Sequence, residues 1–298
     1  MSDIKILDLS GLFFWAQVAS IWLLAWMANL WLARLNPASP FVARLVSLAI
    51  PLIFGATLLY LWESIVTGFD VPAVLMPPPS AIAAKFIASR AVLAADFVQT
   101  FLKSVLTGWA LGCLSGFAVA LLADRVPFLK RGLLPLGNFV SALPMIGIAP
   151  IMVMWFGFDW PSKVAVVVVM TFFPMLVNCV AGLAASGALE RDLMAGYGAS
   201  WGTTLVKLRL PNAMPFIFNG LKINSTLALI GAIVAEFFGT PIVGMGFRIS
   251  TESGHMALDM VWAEIALAAI CGSVFYGVLA LVERAVTFWH PSMRMRLG

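Results

Sequence analysis

The chain has 298 residues, of which 62% are apolar and 11% charged, with a formal net charge of +4. Soluble domains run at about 45–50% apolar and about 25% charged, so charges this sparse cannot cover a soluble protein of this size. The 18 Lys and Arg are scattered between apolar blocks rather than gathered on one stripe, which excludes a nucleic-acid surface.

Three cysteines (Cys113, Cys179 and Cys271), each inside an apolar block, imply no disulfide framework, and two histidines imply no His-based metal centre. What remains is an all-α polytopic membrane protein embedded in a lipid bilayer. A helix needs about 20 apolar residues to cross the hydrocarbon core. Seven segments qualify: 12–34, 44–67, 98–123, 134–157, 162–186, 214–238 and 262–285.

The first segment lacks a basic leading region and a small-residue cleavage pattern, so it is expected to be an uncleaved helix and not a signal peptide. Residues 68–80 do not span. They contain the stiff run Met76-Pro77-Pro78-Pro79-Ser80, after which Ser80 can cap a short helix from Ala81 to about Arg90.

In the third span Gly108, Gly112 and Gly116 recur every four residues. That bares one helix face for close packing. Pro51, Pro144, Pro150 and Pro174 sit inside spans, where they either bend helices or shape a pathway. Ser141, Thr171 and Asn178 read equally as helix-packing hydrogen bonders and as lining of a pathway. Lys103 and Glu63 are expected to snorkel from span ends.

Residues 187–213 are too long for a simple connection and too polar to re-enter the bilayer. They read as a short helix, a glycine-permitted turn at Gly198, a second helix capped by Ser200, and a stop at Pro211. Such a unit suits docking to a soluble partner. Near the far end of the following span lies Glu236, whose burial in a membrane needs a reason; a structural or gating hydrogen bond is favoured over substrate contact. The glycine-rich stretch 239–247 is expected to be an irregular turn, His255 polar surface, and Asp259 and Glu264 solvated at the mouth of the last span.

Orientation follows the basic residues. Arg34 and Arg44, then Arg125, Lys130 and Arg131, then Arg191, Lys207 and Arg209, then Arg294 and Arg296 mark the cytoplasmic side. The C-terminus is therefore expected inside. The opposite connections are poorer in Lys and Arg.

The loop carries a resemblance. An acidic residue, Gly six positions later, then nine residues, then Leu-x-Leu-Pro is the pattern of the EAA loop in permease subunits of bacterial ABC importers. Asp192, Gly198, Leu208, Leu210 and Pro211 stand at that spacing. Asp replaces the family's Glu at 192, and Leu193-Met194 replace its two alanines. Across roughly 75–292, Pro78-Pro79-Ser80, Ala142-Leu143-Pro144 with Ala149-Pro150, Trp155-Phe156-Gly157, Phe172-Phe173-Pro174 with Asn178, Tyr197-Gly198 and Ala235-Glu236 resemble the nitrate/sulfonate/taurine branch. Trp289-His290-Pro291-Ser292 is similar to members that import pyrimidine-type vitamin precursors or riboflavin.

The resemblance implies a type I ABC importer transmembrane fold: a six-helix core in a permease domain over 41–298, with one extra N-terminal helix within 1–40. It implies a homodimer with the pathway between copies, two cytoplasmic ATPase subunits holding ATP and Mg, and a periplasmic or lipid-anchored solute-binding protein. Asp192, Ala195, Gly198, Ala199, Ser200, Leu208, Leu210 and Pro211 would form the ATPase-coupling loop. Ser141, Pro144, Thr171, Asn178 and Glu236 would belong to the pathway or gate. The chain carries no Gly-x-x-x-x-Gly-Lys-Ser/Thr phosphate loop, so it is expected to bind no cofactor itself and to take its energy from a partner. The competing class, an ion-coupled secondary transporter, would need coupling residues at midplane or an inverted repeat, and neither is evident.

Overall fold

A computed structural model describes residues 9–35, 37, 39–126, 128–129, 132, 135, 145–239 and 242–289. In chain order its helices are α1 (Leu9–Arg34), α2 (Pro40–Gly68), α3 (Pro79–Ala88), α4 (Arg90–Arg125), α5 (Met145–Phe156), α6 (Trp160–Ala184), α7 (Ala188–Gly196), α8 (Trp201–Glu236), α9 (Met245–Gly254) and α10 (Leu258–Val286). Among the described residues six of these, α1, α2, α4, α6, α8 and α10, are long and apolar enough to cross a membrane. The expected span 134–157 is described, apart from residue 135, only from its α5 portion onward. Ser141 and Pro144 lie outside the described residues.

One boundary departs from expectation. The helix beginning after Ser200 does not stop at Pro211 but continues as α8 through Pro211 and Pro215 to Glu236. Proline breaks an α-helix because it lacks an N–H and its ring presses on the carbonyl four residues back. Here Leu205–Arg209 is π-helical, and the Leu210 N–H reaches back five residues to the Leu205 carbonyl. The widened turn accommodates the proline just beyond it. A second π-helical stretch, Val98–Val105, lies within α4.

The chain divides into two compact units. One comprises Met1–Ser89 with Glu252–Ala263. There the ring of Phe14 lies over Gly68, so close that a Cβ at 68 would sit 2.7 Å from it. Trp62 meets Trp262 edge to face at 4.8 Å. Glu63 accepts hydrogen bonds from the Ser80 amide and hydroxyl, at 2.9 and 2.6 Å, so a carboxylate and not the serine hydroxyl caps the start of α3.

The other unit comprises Arg90–Thr251 with Glu264–Gly298. Helix α6 packs along both α4 and α8. Lipid tails are as apolar as leucine, so such contacts depend on close approach and not on water exclusion. Gly108, Gly112 and Gly116 supply that approach: a Cβ at Gly108 would lie 2.5 Å from the Val167 Cβ, one at Gly116 2.5 Å from the Phe172 carbonyl, and one at Gly112 would collide with the Thr171 hydroxyl. Phe101, Val105, Val167, Ala228, Leu229 and Ala232 fill the space between the three helices, joined by Ala268 and Cys271 of α10. Asn224 of α8 donates to the Thr171 carbonyl at 2.7 Å inside this core.

Candidate functional site

The segment after α6 forms one end of the second unit. Glu190 of α7 reaches back to accept from the Gly187 amide at 3.0 Å, satisfying one of the N–H groups that a helix start leaves open. The chain then turns at Gly198, whose φ of +70° is a left-handed conformation that costs L-residues about 1–2 kcal/mol. Ser200 caps α8 by accepting from the Thr203 amide at 3.2 Å.

None of the residues of α7 is buried. Leu189 is 83% exposed and Tyr197 80%, with Leu193 beside them. Asp192, Ala195, Gly198 and Ser200 are exposed, while Ala199, Leu208, Leu210 and Pro211 are half-buried. The unit therefore presents an apolar face outward, and its most extensive hydrogen bonding to the bundle comes from its C-terminal part. That anchor is Arg209, whose guanidinium donates to both Asp124 carboxylate oxygens at 2.6 Å and to the Leu183 carbonyl at 2.9 and 3.1 Å.

The opposite end of the unit holds a buried polar network. Glu236, at the end of α8, is 2% exposed. It accepts from the Thr100 hydroxyl at 2.8 Å and from the Gly246 amide at 2.7 Å. Thr100 in turn accepts from the Met245 amide at 2.8 Å, and Asp96 accepts from the Gly244 amide at 2.6 Å and from Arg248 at 3.0 Å. Three consecutive amides at the start of α9 thus converge on two carboxylates and a hydroxyl of this same chain, an arrangement that favours anionic partners. Gly244 is required there: its φ is +139°, and a Cβ would lie 2.8 Å from the Glu236 carboxyl group.

Lys163 is buried at the start of α6, where its ammonium donates to the carbonyls of Phe158 and Gly239 and to the Ser162 hydroxyl. Asp159 caps α6, accepting from the Trp160 amide at 2.7 Å and from Gln99 at 3.0 Å. These hydrogen bonds hold its carboxyl below the usual aspartate range, the Trp160 amide contributing most.

Glu264, expected at a solvated mouth, is instead fully buried. Across from Asp96, neither of its carboxyl oxygens finds a hydrogen-bond partner among the described residues. A glutamine at 264 keeps the shape, removes the ionisable group and can donate to Asp96. Glu264→Gln is therefore expected to leave stability unchanged or raise it by about 1 kcal/mol, measured by denaturant titration in micelles. A loss of that size or larger would show that the acid itself is used.

The residues expected to line a pathway separate. Thr171 is fully buried against Gly112 and donates to the Val167 carbonyl. Asn178 is half-buried, donates to the Pro174 carbonyl at 2.8 Å and accepts from Asn219 at 3.0 Å. Neither lies on the groove of about 550 Å³ that runs between α4, α5 and α6, lined by Thr107, Leu111, Met152, Trp155, Trp160 and Val164 among others. Nor does Glu236. Among the described residues no charged side chain lines this groove. Sequence reading missed Asp96, Asn224 and the role of Arg209, whose partners are remote in the chain, and Lys163, which reaches Gly239 as well as nearer groups.

Residues 108–288 match a family described as "Binding-protein-dependent transport system inner membrane component". The chain is 30% identical over 237 residues to a "Probable ABC transporter permease protein" of Haemophilus influenzae, covering 79% of this chain and 96% of that one. It is similar to the formylaminopyrimidine transport permease protein of Halalkalibacterium halodurans, 29% identical with 80% and 95% covered. It also resembles the riboflavin transport system permease protein of Chloroflexus aurantiacus, 28% identical with 79% and 88% covered.

Proposed function

Because the chain belongs to the family of binding-protein-dependent transport system inner membrane components, we propose that it works as the permease half of an ATP-driven importer through the loop 187–213. This loop docks into a cytoplasmic ATPase subunit that holds ATP and Mg. The observation that carries the assignment is the exposed apolar face of α7 and the turn at Gly198 that follows it. A membrane protein gains nothing from leaving Leu189, Leu193 and Tyr197 in water unless a partner covers them. Two copies of the chain form the pathway, each with its own ATPase subunit, and a solute-binding protein delivers cargo to the face opposite the loop. On this reading the C-terminus is cytoplasmic, 41–298 is the permease domain, and α1 within 1–40 stands outside the shared core. Glu236 acts as a structural latch, and Asn178 serves helix packing or the pathway.

The cargo is a small organic or anionic solute. The groove with Trp155 and Trp160 and, among its described lining residues, no charged side chain favours an uncharged heteroaromatic, such as a pyrimidine-type precursor or riboflavin, over sulfonate, taurine or nitrate. Alternating access follows: closure of the ATPase pair moves the docked loops and opens the pathway toward the binding protein.

Reconstitution into proteoliposomes with the ATPase subunit and binding protein tests this. Uptake is expected only with all three components and ATP. Uptake by the chain alone under an imposed proton gradient would overturn it.

A further inference from the structure

We propose that Arg209 is the positioning residue that carries displacement of the coupling loop into the bundle, acting as a three-way clamp on Asp124 and Leu183. The inference rests on the docking role of loop 187–213. Three helix segments meet at one planar group. Asp124 lies at the end of α4 (Arg90–Arg125) and Leu183 at the end of α6 (Trp160–Ala184), while Arg209 closes the π-helical turn at the loop end of α8. All three guanidinium nitrogens are engaged: Nη1 and Nη2 each with one Asp124 oxygen at 2.6 Å, and Nε and Nη2 with the Leu183 carbonyl at 3.1 and 2.9 Å.

A fork-to-fork pair fixes orientation as well as distance, unlike the point charge of a lysine. The Leu183 carbonyl is one of those a helix C-terminus leaves open, where a cation is favoured. Little water reaches the pair, since the Arg209 side chain is 15% exposed and that of Asp124 9%. Below it Leu183, Leu205 and Ala213 form an apolar cluster, so the clamp is backed by packing and cannot yield by side-chain swing alone.

The remaining ties from the loop are softer. Asn212 reaches Glu190 at 3.4 Å on an exposed surface, and Arg125 lies over the Trp201 ring at 5.3 Å. The clamp sits where α8 is least regular. A twist imposed on the loop would dissipate in a π-helical turn, and an inflexible link across that turn passes it directly to α4 and α6.

The test uses the full complex of permease, ATPase subunit and solute-loaded binding protein in proteoliposomes. Arg209→Lys keeps the charge and loses the fork; Asp124→Asn loses the charge and keeps the shape. Neither alters the exposed face of α7, so the ATPase subunit is expected to co-purify with both. Solute moved per ATP hydrolysed is expected to fall at least tenfold in each, and the exchange Asp124→Arg with Arg209→Asp should recover at least part of that ratio. A merely structural salt bridge would lower yield or stability without moving the ratio. An unchanged ratio in both single variants, with the ATPase bound, overturns the clamp. If neither variant assembles, Arg209 is a folding staple and the proposal likewise falls. Failure of the docking role itself reads differently: removing the exposed face by Leu189→Ala with Tyr197→Ala would then leave ATPase co-purification intact.

Discussion

Replacing Gly198 by valine is expected to cut ATP-driven uptake more than tenfold, with loss of the ATPase subunit on purification, while the bundle folds normally. The reason is conformational. Beyond its own neighbours in the chain, no described atom lies within 4 Å of where a Cβ at 198 would stand, so tertiary packing does not oppose a side chain there. The penalty comes from φ of +70°, which a β-branched residue adopts only as an outlier. Valine would therefore swing α7 relative to α8 and misplace Leu189, Leu193 and Tyr197. Asparagine tolerates the left-handed region, so Gly198→Asn should retain most of the activity. Wild-type uptake in the valine variant would remove the turn from the coupling mechanism, and equal damage from Asn and Val would show that size and not backbone conformation matters. ATP-driven uptake and co-purification, read side by side, distinguish these outcomes.

The second large effect is expected at Glu236. Alanine there strands the Gly246 amide and the Thr100 hydroxyl, and takes away one of the two carboxylates near buried Lys163, leaving only Asp159 of that pair. Removing one partner from a buried charged network costs about 3–5 kcal/mol, so Glu236→Ala is expected to melt far below wild type in micelles and to assemble poorly. Glu236→Gln keeps the bulk and one acceptor, and should lose less than half as much. That variant is expected to assemble, and its uptake kinetics report whether the latch also gates. A stable alanine variant would mean that Gly246 and Thr100 find other partners and that the network is not what holds the end of α8.

The sequence made six of the seven expected spans legible because an apolar run of 20 or more residues admits few other structures. The turn at Gly198 and the cap at Ser200 were legible because both rest on neighbours in the chain. Pro211 misled for a local reason as well: a proline ends an α-helix, but Leu205–Arg209 is a π-turn, and no residue pattern announced it. Thr171 misled because apolar spans show no polar face to orient them, so whether it points at a cavity or at Gly112 depends on helix rotation that the residues do not record. The ties of Thr100 to Glu236 and Met245, and of Asp96 to Gly244, were illegible since they join residues more than 130 positions apart. Arg209 counted only toward the basic charge of its side until Asp124, 85 residues earlier, came to face it.

The amides of Gly244, Met245 and Gly246 bear on what this permease can take as cargo. Convergent amides at a helix start are a common way to hold a phosphate, sulfonate or carboxylate. Here the position is occupied by an intramolecular ligand: Asp96, Thr100 and Glu236 are tethered to the same chain and never diffuse away. A free anion would have to displace buried groups that are held permanently in place. Whatever distinguishes an anionic solute from a neutral one must therefore be supplied by other parts of the transporter.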